Sequence, residues 1–314
     1  MKVKRGQLQL SFAWIFAIIV GAVILFIAIY AATKVIKTGD TAVSAKTGKE
    51  ISVLLNPLET GFETGVVTLL TMPVETRIYN QCSTSGNFGK QIIKISQMSF
   101  GEWTETDLET VFSNKYIFSE GVEEGSNFII FAKPFEFPFK VSDLIYLTSS
   151  DKKYCFFKPP REIKEELSDL NQESIFVKNG AESCPENTVK VCFGNGSGCD
   201  VNVDEFQKSV EKNTQNGSQI VYYETDSLMY AAIFSDKNTY ECQVKRLMKR
   251  TSNLADLYDE KGALLAQQGC ADSINLQSLA NSANSIRDSQ DLSNLNPVVN
   301  QLKAQNGFAN CKLW

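Results

Sequence analysis

The chain has 314 residues, of which 43% are hydrophobic, 21% charged and 11% aromatic. That composition excludes a collagen-like, coiled-coil or wholly disordered chain, and the length suits two domain-sized units or one domain with appendages. The 31 Lys+Arg against 36 Asp+Glu (net -5) argue against a nucleic-acid partner, and the absence of His removes the Ser-His-Asp triad, the Cys-His dyad and most catalytic zinc sites.

The first eleven residues carry Lys2, Lys4 and Arg5 and no acid. Residues 12–32 follow without a charge or a proline. At about 1.5 Å per residue, a helix of that length crosses the hydrocarbon core of a bilayer. Lys34 and Lys37 flank its far end, and Trp14 and Tyr30 sit near the two interfaces. A core helix is one alternative, but it would need a large domain around an all-apolar surface. A cleavable secretory signal is another; it expects a shorter apolar region and a small-x-small site, which Tyr30-Ala31-Ala32 fits poorly. The basic residues predict a cytoplasmic amino terminus and an exterior location for the bulk of the chain, at the cell membrane.

Lys4-Arg5-Gly6-Gln7, a short polar stretch and then a long apolar helix resemble the class III signal of archaeal type IV pilin-like proteins. The resemblance covers about the first 32 residues. It implies that a prepilin-type peptidase cuts between Gly6 and Gln7 on the cytoplasmic side and that the apolar helix stays on the mature protein. Most pilins carry Glu at the fifth mature position, where it pairs with a neighbouring subunit's amino terminus; here that position is Ser11. The whole chain also resembles uncharacterised membrane-anchored archaeal proteins.

Residues 33–56 predict a helical stalk, built on Val35, Ile36, Val43, Ile51, Leu54 and Leu55 and ended or kinked at Pro57. Residues 57–238 read as a β-rich exterior domain. Candidate strands are 66–70, 76–81, 91–95, 116–119, 128–132 and 154–157, each rich in Val, Ile, Phe, Tyr or Thr and bounded by turn residues. The alternating run Phe131, Phe135, Phe137, Phe139 contains Pro134 and Pro138, which cannot donate ladder bonds. It is therefore placed at a sheet edge, its rings on a half-buried core face, with a ligand groove as the alternative. Residues 160–170 predict a short charged helix and 174–177 a strand. Residues 220–234 suit a strand, or a helix over 228–232.

Eight cysteines, Cys82, Cys155, Cys184, Cys192, Cys199, Cys242, Cys270 and Cys311, all follow the apolar segment. Their even number and the lack of a C-x-x-C pair predict disulfides in an oxidising exterior, with buried thiols as the intracellular alternative. One pairing has local support. Residues 189–193 and 199–203 alternate around a Gly-rich turn, a predicted hairpin that brings Cys192 opposite Cys199. Asn195 and Asn216 open N-glycosylation sequons.

Residues 239–314 form a predicted helical region packed on the β-rich part. Val244, Leu247, Met248, Thr251, Leu254 and Leu257 mark an amphipathic helix, with Gly269 past its end. Ile274, Leu279, Ala283 and Ile286, then Leu292, Leu295, Val299 and Leu302, predict two more, with Pro297 at an interruption or a first turn. Bridges at Cys270 and Cys311 would pin this region.

Asp200, Asn202 and Asp204, with Glu211 at the twelfth place, offer the oxygen ligands of a calcium loop, but Glu205 stands where the sharp turn needs Gly. A strand with a wet acidic face is the preferred reading. Lys245, Arg246, Lys249 and Arg250 recur at i, i+4 and read as a solvated helix face, with anionic lipid or an acidic partner as the alternative. A Gly-rich phosphate loop and a G-x-S-x-G elbow are both missing from the sequence.

These readings predict an α+β protein: a single N-terminal transmembrane helix, a helical stalk, a β-rich exterior domain and C-terminal helices. The expected role is a single-pass membrane-anchored exterior protein, a pilin-like surface or assembly component without catalytic activity, cofactor or metal. Its expected partners are the lipid bilayer, a prepilin-type peptidase, and either further copies of the chain or another protein. A membrane-tethered binding module or accessory subunit is the alternative, and an anchored exterior enzyme a third.

Overall fold

The computed structural model describes residues 14–34, 67–99, 101–178, 184–194, 198–215, 217–270 and 274–314, with the side chains of 105–108 set aside. The predicted cleavage site at Gly6 and Gln7, nearly all of the predicted stalk, and Asn195 and Asn216 lie outside the described residues.

The apolar segment forms α1, Trp14–Lys34, with a mean hydropathy of 2.9 and 0% of its apolar window buried. A helix that is apolar on every face and has no buried residue among the described ones suits a lipid-like surrounding.

Seven strands build the first part of the fold: β1 Thr68–Ser83, β2 Lys90–Ser99, β3 Glu102–Phe112, β4 Tyr116–Phe118, β5 Val122–Glu136, β6 Lys140–Ser149 and β7 Lys153–Phe157. The first six make one sheet in the order β3-β2-β1-β5-β6-β4, antiparallel except for the β4/β6 pair. Two of these strands were missed in the sequence. Glu, Thr and Asp dominate β3, and the proline-interrupted aromatic run masks the start of β6. The two predicted strands 66–70 and 76–81 are one strand, β1, whose ladder to β5 shifts register between Thr71 and Thr76, around Pro73.

Pro134 lies in β5, an interior strand. Among the described residues, pairing with β1 reaches only Ile130, so the Pro134 segment extends past that ladder and pairs with β6 alone. The edge expectation is corrected to this extent: the strand as a whole is interior. Phe131, Phe135, Phe137 and Phe139 are all buried core, and of the four only Phe131 also borders a cleft, described below.

Both faces of this sheet are apolar around β5 and β6. Phe128, Ile130, Ile145 and Leu147 join Leu70, Ile78, Ile93 and Ile95 on one face. Ile129, Phe131, Leu144 and Tyr146 point into the main core on the other. Near-continuous apolar runs are the sequence mark of strands covered on both sides.

The second sheet runs β12-β11-β10-β9-β7-β8, with β8 Ile175–Lys178, β9 Thr188–Phe193, β10 Val201–Asp204, β11 Ser209–Thr214 and β12 Gly217–Tyr222. The helix α2, Arg161–Asp169, connects β7 to the parallel β8. The predicted hairpin is corrected here. β9 and β10 are parallel, with Val191 opposite Val201 and Cys192 opposite Asn202. Two-residue alternation does not distinguish the two directions. The return loop instead carries Asp200 back beside Lys190, whose N–H donates to its carboxylate at 2.8 Å.

Between the sheets lies α3, Asp226–Phe234, buried from Ser227 to its end. Its Phe234 packs against Phe131 of the first sheet (5.3 Å) and Tyr154 of the second (4.9 Å). This resolves the ambiguity over 220–234: strand to Tyr222, then a helix apolar on every side because it is enclosed.

The long helix α4, Lys237–Gln267, starts from the Asp236 cap, whose carboxylate accepts the Thr239 N–H at 2.9 Å. It ends at Gly269 (φ 97°), with Cys270 N–H donating to the Leu265 carbonyl at 3.0 Å and Gly269 N–H to Ala266 at 3.1 Å. The predicted two closing helices are α5, Gln277–Asn284, and α6, Asn296–Phe308, joined through a 3-10 turn at Ser289–Leu295. Pro297 sits in the first turn of α6.

Candidate functional site

All eight cysteines are paired: Cys82–Cys242, Cys155–Cys184, Cys192–Cys199 and Cys270–Cys311. The Cys192–Cys199 bridge predicted from a hairpin forms across the parallel return loop instead. Cys155 and Cys192 lie on adjacent strands, and both bridges of the second sheet belong to one small apolar cluster with Phe157 and Phe176. Cys82–Cys242 ties β1 to the first turns of α4.

The basic run of α4 is not a solvated face. Arg246 is fully buried. Its guanidinium donates to the carbonyls of Phe88 (3.1 Å), Ser113 (3.0 Å) and Lys115 (2.9 Å) and to Gln243 Oε1 (2.7 Å), and it lies over the Tyr116 ring at 4.7 Å. Lys249 Nζ reaches the carbonyls of Thr84 and Gly86, and Arg250 Nε that of Val141. Burial lowers the Arg246 pKa to about 10, so it stays cationic at neutral pH. These three side chains thus donate to loop and strand-end carbonyls of the first sheet. Arg246, Lys249 and Arg250 therefore serve folding, while Lys245 stays half-exposed.

Next to it, amide side chains cap the open edge of β4. Ile117 N–H donates to Gln91 Oε1 at 3.3 Å, and the Ile117 carbonyl accepts from Asn80 Nδ2 (3.1 Å) and Gln243 Nε2 (3.2 Å). Gln91 also bonds Asn80 and Gln243, which closes the network.

The calcium alternative finds no support in the geometry. Asp204 Oδ1 accepts the Phe206 and Gln207 N–H groups of a tight turn, Asp200 caps Lys190, and no group of three metal-ligating residues occurs among the described residues.

A buried carboxyl sits where β5 begins. Glu123 accepts from Ser149 N–H (3.0 Å) and Glu120 N–H (3.4 Å), while Lys152 pairs with Glu120. Burial pushes the Glu123 pKa up to about 7, against the opposing pull of Lys152. Nearby, burial pushes Lys212 down to about 8, and its ammonium donates to the Ser235 carbonyl at 2.6 Å.

A cleft of about 270 Å³ opens between β5, α2 and α3, lined by Phe131, Ala132, Lys133, Glu166, Asp169, Leu170 and Tyr230. Its floor is apolar: Phe131, Leu170 and the Tyr230 ring are buried. Its rim is charged. Glu166 Oε2 receives Lys133 Nζ at 2.5 Å and the Tyr230 hydroxyl at 3.0 Å, and Lys133 lies over the Tyr230 ring at 4.7 Å. Burial, then the Glu166 charge, raise the Tyr230 pKa, so its hydroxyl remains a donor. None of these rim residues stood out in the sequence. The available signal was an acid, Asp169, at the carboxyl end of a short helix, against the helix dipole.

The chain matches no family model, no curated protein and no solved structure.

Proposed function

We propose that this is a single-pass membrane-anchored exterior protein, a pilin-like surface or assembly component that does no chemistry of its own. The observation that carries the reading is α1, an apolar helix as long as a bilayer core with no residue of its apolar window buried among the described residues. The paired cysteines support an oxidising exterior. The Lys4-Arg5-Gly6-Gln7 signal supports maturation by a prepilin-type peptidase. Ser11 leaves any filament without the usual carboxylate partner for a buried amino terminus. The test is the amino-terminal sequence of protein taken from its native membrane, combined with impermeant thiol labelling of cysteines engineered near Lys49 and Val3. A start at Gln7 and labelling only near Lys49 are expected. A start at Met1 would reduce the reading to a plain anchor, and labelling only near Val3 would overturn the exterior assignment.

A second reading, a tethered binding module or accessory subunit holding a protein partner near the membrane, is favoured by the amphipathic cleft under α2.

A further inference from the structure

We infer that the cleft under α2 is a recognition pocket for one basic side chain of a protein partner, with lysine as its model ligand. The assignment rests on the tethered-binding reading and adds the chemistry of the partner.

Size sets the class of ligand. At about 270 Å³ the cleft lies at the small end of ligand pockets, which run from about 300 to 1,000 Å³. That is room enough for a single side chain. The floor of Phe131, Leu170 and Tyr230 suits an aliphatic stem, as lysine presents below its ammonium.

Charge sets the sign. Lys133 and Glu166 neutralise each other at 2.5 Å, and the Asp169 carboxylate has no ion-pair or hydrogen-bond partner among the described residues. Asp169 is the last residue of α2, and the last turn of that helix contains no basic residue. Negative charge there adds to the negative end of the helix dipole, an arrangement that weakens the helix by itself. A local rule broken beside a cleft is where a binding function is expected. The protein already shows this recognition in miniature, since Lys133 holds its ammonium between a carboxylate and the Tyr230 ring face. An incoming ammonium would take the free Asp169 side of the same rim. The wider field agrees. Five of the 31 basic residues and none of the 36 acidic ones lie in residues 1–37, so the remainder stands at 26 against 36, net -10. That charge steers basic partners in and keeps anions away.

The test uses the full chain in lipid nanodiscs and saturation-transfer NMR. The probes are Nα-acetyl-lysine methylamide, its uncharged norleucine counterpart, and the free diamine cadaverine. The capped lysine should bind in the millimolar range, with transfer to its side-chain methylenes, and the norleucine compound at least threefold more weakly. Asp169→Asn should weaken lysine binding by a similar factor. Glu166→Gln, which leaves Lys133 without its neutralising carboxylate, should weaken it further. Equal binding of the lysine and norleucine probes, or an unchanged affinity in Asp169→Asn, would overturn the inference. So would the absence of any saturable transfer to protein whose disulfides and melting temperature are intact. Tighter binding of cadaverine than of capped lysine would move the source to a free amine and overturn the protein-partner assignment. None of these results touches the membrane anchorage, which the amino-terminal sequence and the labelling decide separately.

Discussion

Arg246 shows how far one side chain can carry a fold. Its guanidinium fork serves three backbone carbonyls and one amide, and its bonds to the Lys115 carbonyl and Gln243 Oε1 are buried. Arg246→Leu should therefore lower stability by about 3 kcal/mol or more, read as a fall in the urea midpoint. Arg246→Lys should recover only part of it, because a point ammonium does not reproduce the fork. Glu123 makes a pH prediction. Its folded pKa of about 7 lies above its ordinary value of 4.5, so the unfolded chain releases the proton first. Its contribution is fully present below pH 4.5 and is lost as pH rises through 7. Lys212, lowered to about 8 from 10.5, acts the opposite way: its contribution is present above pH 10.5 and is lost as pH falls through 8. Melting temperature measured from pH 4 to 8 should therefore fall across the Glu123 window, and Glu123→Gln should flatten that slope. A slope unchanged in Glu123→Gln would assign the effect to other groups.

Local patterns fixed some elements and hid others. The period of Val244, Leu247, Met248 and Thr251 predicted α4, and Gly269 predicted its end, because both signals are written in adjacent residues. The docking of α4 was invisible. A run of Lys and Arg reads as solvated unless the partner carbonyls are known, and those come from loops near residues 84–88 and 113–115, far away in sequence. The hairpin failed for a related reason, since alternation sets which side chains share a face and not which way the next strand runs. The cleft escaped because Lys133, Glu166 and Tyr230 converge only when β5, α2 and α3 pack together. One glycine links element to docking. At Gly89 (φ +61°) a Cβ would lie 2.5 Å from the Ser83 carbonyl oxygen and 2.8 Å from Arg246 Cγ. Gly89→Ala should destabilise by about 2 kcal/mol or more, and the loss should be less than additive with Arg246→Leu, since both act on one seat. Full additivity in a double-mutant cycle would separate the two.

Across the whole molecule, two sheets enclose α3, and four bridges staple the periphery to them. In the chain-entropy picture the loop closed by Cys82–Cys242, at a separation of 160, is worth about 5 kcal/mol, against about 2 for Cys192–Cys199 at a separation of 7. The paired Ser variants should rank in that order by thermal melting, and an inverted order would point to native-state effects. Cys82–Cys242 also has a mechanical consequence. If α1 holds the protein in a bilayer, tension from outside enters the fold through β1, and only about fifteen residues of that strand precede Cys82. Peeling then stops at a covalent bond, and the load passes directly into α4, skipping both sheets. Cys270–Cys311 similarly locks the far end. Stretched from its two ends by force spectroscopy, the oxidised protein should lengthen little. Removing Cys82–Cys242 alone should free the 160-residue span less the 29 and 7 residues held by the inner bridges, roughly 400 Å of extra reach. The bridge thus acts as a strain limiter, keeping the sheets and the cleft intact under load.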